Sequence, residues 1–263
     1  TIDGLMDRLV PLDLIRKNCI HLSYDDTIDV EELKTALVNS GFERTEQVET
    51  AGQFAVRGGI IDIFPMTGDV PYRIELWDDV IDSIRSFDAL SQRTIENIDD
   101  IVIYPASEYI LSQEEIARGI EKIREEASLR EKTLRESFHT EEAHRLSVCI
   151  NEFTERLSIS RTGVFLDSFM TYFYPETMTL PDYFPAEETI FFIDEPGRIE
   201  ERVNTVETEF RESMINRIEG GYMLSGQTGV FCDTAEALAR LASVRTVLFT
   251  TLEQKLKHFK PKN

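Results

Sequence analysis

The chain has 263 residues and a formal net charge of −21, and 41% of its residues are hydrophobic. This length fits one large domain or two of ordinary size, with enough apolar residues for a packed core. Nucleic-acid affinity depends mainly on Lys and Arg displacing counterions from phosphate, so the acidity argues against direct DNA binding unless a local basic patch exists.

The cysteines are three in number, far apart and in no C-x-x-C pair: Cys19, Cys149 and Cys232. This pattern is typical of reduced thiols in a cytoplasmic protein rather than of a disulfide framework. No two histidines are four residues apart, so we expect neither a metal site nor a bound cofactor. No apolar run is long enough to predict a membrane span. The chain begins with Thr1 and shows no signal peptide, from which we expect a fragment of a longer protein.

Residues 1–18 are short and mixed, and residues 19–106 have the pattern of an α+β unit, a small antiparallel sheet with one helix. The helix begins at Asp29, whose spacing to Glu32 resembles a capping box, and it ends before Gly41. Asp78-Asp79 marks a hairpin turn. Strands are predicted at 19–23, 52–65 (with Gly58-Gly59 as a bulge or close backbone approach), 71–77, 80–88 and 97–105.

Residues 107–235 have a different, more helical pattern. A capping box of Ser112 and Glu115 begins one helix, and a second helix is predicted from about Thr140, with Leu146, Ile150 and Phe153 on its inner face. The aromatic stretch 164–175 is predicted to be core, 189–198 a buried strand and 202–221 a helix. The last segment, 236–263, contains one more strand and is expected to open a further domain or to be a linker.

The motif most typical of an enzyme is "FFIDEP", an apolar strand that ends in Asp194 and Glu195. Nucleoside triphosphatases hold magnesium with carboxylates in this position, but they also need a G-x-x-x-x-G-K-[ST] loop. The sequence has no such loop, and "SGQTG" at 225–229 lacks the lysine. The two carboxylates are therefore interpreted either as caps at a strand end or as the relic of an ATPase. A nucleotide-dependent motor subunit remains the rival hypothesis.

The strand "PYRIELW" raises a question about its second face. Strand side chains alternate, so Tyr72, Ile74 and Leu76 form a core face, whereas Arg73, Glu75 and Trp77 share the other, and Arg57 lies on a strand that could be its neighbour. Trp and Arg are enriched at interface hot spots, which favours a protein-docking surface. Truncation of Arg73 or Trp77 would then leave the core intact. The alternative, equally compatible with the spacing, is that Trp77 is core and the arginines pair with local carboxylates.

Together these motifs resemble one protein family. "GQFAVRGGIIDIFP", "PYRIELWDDVIDSIRSFD", "SQRTIENID" and "YPASEY" are similar to the module that bacterial transcription-repair coupling factors share with the excision-nuclease subunit UvrB. The later "LPDYFP", "FFIDEP" and "IEGGYMLSGQTGVF" resemble the segment that follows in the coupling factors, and the similarity runs from about residue 5 to 235.

A UvrB fragment is the close alternative, and two departures argue against it, as does the "SQRT" stretch, which resembles the coupling factors. UvrB would have a glycine-rich segment after the helices and a histidine after its "IDES", where this chain has "SFMTYFYPE" and "IDEPGR". UvrB also carries a second arginine where this chain has Ala55, so affinity or geometry is expected to differ from UvrB.

The resemblance implies a role in nucleotide excision repair. Residues 19–106 would be the module that binds the damage sensor UvrA, and Arg57, Arg73 and Trp77 fall on the family's docking positions, with Glu75 as a flanking contact. Trp77 replaces the usual Phe but stays an apolar anchor. Residues 1–18 and 107–235 would belong to a degenerate helicase-like P-loop domain without catalysis. RNA polymerase and DNA would be contacted only by parts of the parent protein outside this chain.

Overall fold

A computed structural model describes residues 2–159, 166–252 and 259. The strands are β1 (Ile20–Ser23), β2 (Glu43–Arg44), β3 (Gln53–Arg57), β4 (Ile60–Ile63), β5 (Tyr72–Trp77), β6 (Val80–Phe87), β7 (Thr94–Ile98), β8 (Asp100–Ile103), β9 (Ile190–Asp194) and β10 (Arg245–Phe249). The helices are α1 (Asp3–Met6), α2 (Leu12–Lys17), α3 (Val30–Asn39), α4 (Gln113–Glu136), α5 (Thr140–Ile159), α6 (Met170–Phe173), α7 (Pro196–Glu219) and α8 (Thr234–Ser243).

Contacts divide the chain into two compact units. The first, called the sheet unit, is built from Leu12–Glu115. The second, called the helical unit, holds the described residues within Thr1–Pro11, Ile116–Ile159 and Val164–Asn263. The mixed α/β class with small antiparallel sheets is confirmed. The assignment of segments 1–18, 19–106, 107–235 and 236–263 to domains of a parent protein stays a prediction.

The sheet unit is organised around a six-stranded sheet in the order β2-β3-β4-β5-β6-β7. Every neighbouring pair is antiparallel except β2 and β3, which are parallel. A second, two-stranded sheet pairs β1 with β8 in antiparallel fashion. Helix α3 packs Leu33 and Leu37 against one face of these strands, in a core with Phe54, Ile61 and Ile74.

The predicted start and end of the helix and the predicted hairpin turn of this unit are all confirmed. The Asp29 side chain accepts hydrogen bonds from the backbone N–H groups of Glu31 and Glu32 and so caps α3. The helix ends before Gly41, which has a φ of +89° that an L-residue adopts at a cost. The Asp78-Asp79 turn joins β5 to β6, and Trp77 pairs with Val80 across it.

Two predicted strands are each wrong as single elements. The stretch 52–65 forms β3 and β4, because Gly58-Gly59 is a tight turn that pairs Arg57 with Ile60 rather than a bulge within one strand. The alternative of a close backbone approach is confirmed, since the Gly59 carbonyl accepts a hydrogen bond from the Leu76 N–H at 2.8 Å. The stretch 97–105 is likewise shared between the end of β7, which pairs with β6, and β8, which pairs with β1. In both cases the break lies at a pair of non-apolar residues, Gly58-Gly59 in the first stretch and Asp99-Asp100 in the second, and apolar residues resume after it.

The structure confirms most of the helix predictions made for residues 107–235. The Ser112 N–H donates to Glu115 Oε2 at 2.7 Å and the Glu115 N–H donates to Ser112 Oγ at 3.2 Å, which is the predicted capping box. Helix α5 begins at Thr140. Its inner face contains the buried Leu146 and Ile150 and the half-buried Phe153, which stacks on Phe169 with ring centroids 3.8 Å apart.

The aromatic stretch 164–175 is core where it is described. Phe169, Met170, Tyr172 and Phe173 are all buried, whereas residues 164 and 165 lie outside the described residues. Residues near the start of the chain join this unit, since Met6 is buried in a cluster with Ile193 and Leu238.

The prediction that 189–198 is a buried strand is wrong for one of its two faces. Strand β9 pairs in parallel with β10, and Ile193 is buried on the side of α7 and α8. On the other side Ile190 and Phe192 are 52% and 68% exposed, and Phe192 stacks on Phe249 of β10. The last segment thus contributes β10 to this two-stranded sheet, while residues 253–258 and 260–263 lie outside the described part of the chain.

One packing contact gives a test of the helical unit. A Cβ atom at Gly119 in α4 would lie 2.1 Å from Cε1 of the Phe173 ring. Gly→Ala within a helix normally stabilises by about 0.5–1 kcal/mol. Here we expect Gly119→Ala to lower the free energy of unfolding by about 1–3 kcal/mol, the usual cost of overpacking. Chemical denaturation measures this change. The exposed Ser128→Ala on the same helix is the control, and a stabilised Gly119→Ala would contradict the packing.

Candidate protein-docking face

The face of the large sheet opposite α3 contains the residues that the sequence singled out. Ile74 is fully buried on the core side of β5, and Tyr72 and Leu76 pack against the same core. Trp77, on the other side, is 80% exposed. The alternative in which Trp77 is a core residue is therefore wrong. The exposed face of β3, β4 and β5 that carries Arg57, Asp62, Arg73, Glu75 and Trp77 is called the docking face below.

A buried carboxylate organises the docking face. The side chain of Asp62 on β4 has no exposed surface, and it lies directly across from Arg73 on β5. Arg73 Nε donates to Asp62 Oδ1 at 2.7 Å, and Arg73 Nη2 donates to Oδ2 at 2.9 Å. Arg57 Nη2 donates to the same Oδ2 at 2.5 Å. A buried carboxylate is costly unless it is paired and hydrogen-bonded, and these two arginines supply both the pairing and the hydrogen bonds.

Arg73 is fixed from several directions. Its Nη2 also donates to Gln92 Oε1 at 2.8 Å, and its guanidinium lies over the Phe87 ring, 4.4 Å from the centroid. The hydrogen bond to Asp62 raises the pKa of Arg73 above its ordinary value, so the side chain stays charged. Only 20% of the side chain is exposed. Arg73 is thus first of all a structural partner of Asp62, as the second sequence interpretation held for the arginines.

Arg57 and Trp77 differ from Arg73 in what they present to solvent. The Arg57 side chain is 46% exposed, and Asp62 would keep its two-pronged contact with Arg73 if Arg57 moved away. Glu75 forms an ion pair with Arg85 on β6 and accepts a hydrogen bond from Ser83 Oγ at 3.3 Å. Glu75 is consequently held within the sheet, while Arg57 and Trp77 project from it.

The charge of this face contrasts with that of the chain. Arg57 and Arg73 pair with Asp62, and Arg85 pairs with Glu75, so the charges of this face nearly balance in a chain whose net charge is −21. The exposed Arg57 on a balanced face of an acidic protein favours a partner that presents an acidic group there, because complementary potentials steer association and select the partner.

The carboxylates of "FFIDEP" lie in the helical unit and have a different setting. Asp194 is exposed at the end of β9. Glu195 has a φ of +49°, which is uncommon for a residue with a side chain, and its Oε1 accepts a hydrogen bond from the Thr251 N–H at 2.8 Å and another from the Thr251 hydroxyl. Glu195 therefore ties the segment after β10 to the end of β9. This geometry favours the strand-end interpretation.

The glycine-containing "SGQTG" segment has no phosphate-cradle geometry. It forms a 3₁₀ turn over Ser225–Val230, and the Gly226 N–H donates to Glu126 Oε1 at 3.0 Å. A carboxylate of the protein thus takes the backbone donor that a phosphate would need. Among the described residues, no group of three or more His, Cys, Asp or Glu side chains could hold a metal ion. None of the helices described is both long enough and apolar enough to cross a membrane.

Sequence reasoning missed Asp62 and Gln92. Asp62 could have been noticed as a charged residue between Ile61 and Ile63 in an apolar strand, since such a residue needs a buried partner. Gln92 gave no signal, because its contact with Arg73 depends on a loop conformation with a φ of +58°.

Comparison with known proteins places the chain in a family. Residues 20–109 match the family described as the UvrB interaction domain. The chain is 37% identical over 216 residues to the transcription-repair-coupling factor of Bacillus subtilis (strain 168), an alignment that covers 82% of this chain and 18% of that protein. It belongs to the transcription-repair-coupling factor family.

Two further coupling factors match over nearly the whole chain. That of Staphylococcus haemolyticus (strain JCSC1435) is 33% identical and that of Staphylococcus aureus (strain MRSA252) is 32% identical, each over 263 residues. Each alignment covers 98% of this chain and 22% of the relative, so the chain spans about a fifth of the length of these coupling factors. The matches continue beyond residue 109, into the segments that separated the coupling factors from UvrB in the sequence analysis.

We expect Arg73→Ala and Trp77→Ala to have very different effects on the stability of the sheet unit. Arg73→Ala leaves the buried Asp62 with Arg57 alone, and we expect a loss of about 3 kcal/mol, the scale for breaking a buried ion pair. Trp77→Ala removes an exposed side chain and should change the unfolding free energy by less than about 0.5 kcal/mol.

Urea denaturation of the two variants beside Arg57→Ala measures these effects. Arg57→Ala serves as the control and should cost less than about 1 kcal/mol, because its partner keeps Arg73. The expectation from sequence alone, that truncating Arg73 leaves the fold intact, did not take Asp62 into account. If all three variants were equally stable, the Asp62–Arg73 ion pair would not be needed for the fold and the earlier expectation would hold.

Proposed function

We propose that this segment of a transcription-repair-coupling factor is a protein-docking segment that recruits UvrA to sites of stalled RNA polymerase. The observation that carries the proposal is the exposure of Trp77 and Arg57 on a sheet face whose geometry is fixed by the buried Asp62–Arg73 pair. RNA polymerase and DNA would be contacted by parts of the parent protein outside this chain.

The physical character of the face supports a role in docking. Trp and Arg dominate interface hot spots because they bury a large area and make several directed hydrogen bonds. A large aromatic side chain left in water on a rigid strand loses little conformational freedom when a partner covers it. Trp77 meets both conditions and Arg57 meets the first, and the match to the UvrB interaction domain covers both residues.

Within this proposal the predicted site residues divide into two roles. Arg57 and Trp77 make contact with the partner. Arg73 and Glu75, both paired inside the sheet, position them, Arg73 through Asp62 and Glu75 through Arg85. This division refines the sequence interpretation, which treated all four as contact residues.

A nucleotide-dependent motor that uses Asp194 and Glu195 is the rival function, and the site geometry does not favour it. Glu195 is bonded to Thr251, and the sequence has no phosphate loop. A carboxylate pair alone repels a triphosphate. The proposal therefore assigns no catalysis to this chain.

Binding of purified UvrA tests the proposed function. We expect Arg57→Ala and Trp77→Ala each to weaken UvrA binding by about 2 kcal/mol, the threshold for hot-spot residues, with nearly unchanged denaturation midpoints. Calorimetry or biolayer interferometry gives the affinities. Arg44→Ala is the matched control, because Arg44 is an exposed arginine at the edge of the same sheet. It lies opposite Phe54, whose side chain faces away from the docking face. Unchanged affinity for both docking-face variants would refute the assignment.

Nucleotide binding tests the rival function. The chain is expected to give no heat of binding with magnesium-ATP in calorimetry, because a triphosphate needs the missing loop. Asp194→Ala, in the helical unit, should leave UvrA affinity unchanged, since independent sites contribute additively. Micromolar binding of ATP that is lost in Asp194→Ala would establish the motor interpretation instead.

A further inference from the structure

The loop between β6 and β7, Asp88–Arg93, has a structure fixed by its own hydrogen bonds. The Asp88 N–H donates to the Arg93 carbonyl at 2.9 Å, and the Gln92 N–H donates to the Asp88 carbonyl at 2.7 Å. Asp88 Oδ1 accepts from the Ser91 N–H at 2.7 Å, and Gln92 Nε2 donates to the Ala89 carbonyl at 2.7 Å. The hydrogen bonds from Ser91 hold the pKa of Asp88 below its ordinary value. The loop is therefore preformed.

The same loop is attached to the docking face. Gln92 uses its side-chain oxygen to accept from Arg73 Nη2, on the guanidinium that clamps Asp62. Phe87, directly before the loop, contributes the ring under that guanidinium. The loop thus belongs to the same side of the sheet as Arg73 and Trp77.

Leu90 stands at the outer part of this loop and is 95% exposed, more than any other large hydrophobic side chain described. Single exposed leucines are common on proteins and need no explanation by themselves. Leu90 differs because the loop that presents it is fixed by its own hydrogen bonds. Through Gln92 the loop is also bonded to Arg73, which supports the docking face. Binding there would cost little ordering entropy.

The spacing of the two exposed apolar side chains suits one interface. Trp77 ends β5, whereas the loop is bonded to Arg73 near the beginning of that strand. Four residues of strand span about 13 Å, well within the width of a standard interface.

We propose that Leu90 is a further docking residue of this face and contacts the same partner, UvrA. This inference rests on the proposed function. It requires that the partner present an apolar depression beside its acidic groups, at the end of the interface away from the Trp77 contact. Gln92 then acts as a positioning residue that holds the loop to Arg73.

Four proteins decide the proposal: the full chain unchanged, Leu90→Ser, Leu90→Met and Leu129→Ser. Affinity for purified UvrA is measured by biolayer interferometry, with a urea denaturation curve for each protein. We expect Leu90→Ser to bind about tenfold more weakly, equivalent to about 1.4 kcal/mol, with an unchanged midpoint. Leu90→Met, which keeps the apolar volume, and Leu129→Ser, 69% exposed on α4, should bind within about twofold of the unchanged chain.

Trp77→Ala, measured in parallel, separates failure of this inference from failure of the proposed function. Loss of binding in Trp77→Ala with full affinity in Leu90→Ser would overturn the role of Leu90 and leave the docking face in place. If the unchanged chain did not bind UvrA at all, both proposals would fall. An effect of Leu90→Ser on self-association alone, seen by light scattering with UvrA affinity unchanged, would also overturn the role of Leu90.

Discussion

The buried carboxylate of Asp62 is the constraint on which the docking face depends. A carboxylate without solvent contact destabilises the fold unless donors surround it, and Arg73 supplies two of them from the directly opposite position on β5. A shift of one residue in the register of β4 against β5 would turn Asp62 toward Phe54 and Ile74, in the core. The ion pair and the apolar core therefore specify the same register.

The same ion pair separates support from recognition. Asp62 has three donors from two arginines, so one donor can leave without exposing an unpaired charge. Arg57 provides the single, more exposed contact. Its guanidinium can leave Asp62 and bind an acidic group on a partner instead. Arg73 has Asp62, Gln92 and Phe87 around it and would lose all three by moving. Recognition through Arg57 thus costs the fold less than recognition through Arg73.

The sequence predicted the elements that carry a local signal. Asp29, Ser112 and Glu115 marked helix starts because a capping side chain bonds to a backbone within three residues of itself. The breaks within 52–65 and 97–105 were not predicted, because apolar residues lie on both sides of Gly58-Gly59 and of Asp99-Asp100 and each stretch was taken as one strand. A Gly-Gly pair between two alternating runs is nevertheless a hairpin signal. The exposed face of β9 was missed for a related reason, since a parallel strand reads as continuously apolar whether or not both of its faces are covered.

Alternation identified the docking face but could not rank its residues. Arg73, Glu75 and Trp77 occupy equivalent positions in the pattern of β5, yet one clamps a carboxylate, one pairs with Arg85 and one stands in solvent. These differences arise from the neighbouring strands, where Asp62 and Arg85 are 11 and 12 residues away from Arg73 in the chain and directly beside it in the sheet. A residue's own strand decides which way its side chain points. The register of the neighbours decides whether that side chain supports the fold or remains available to a partner.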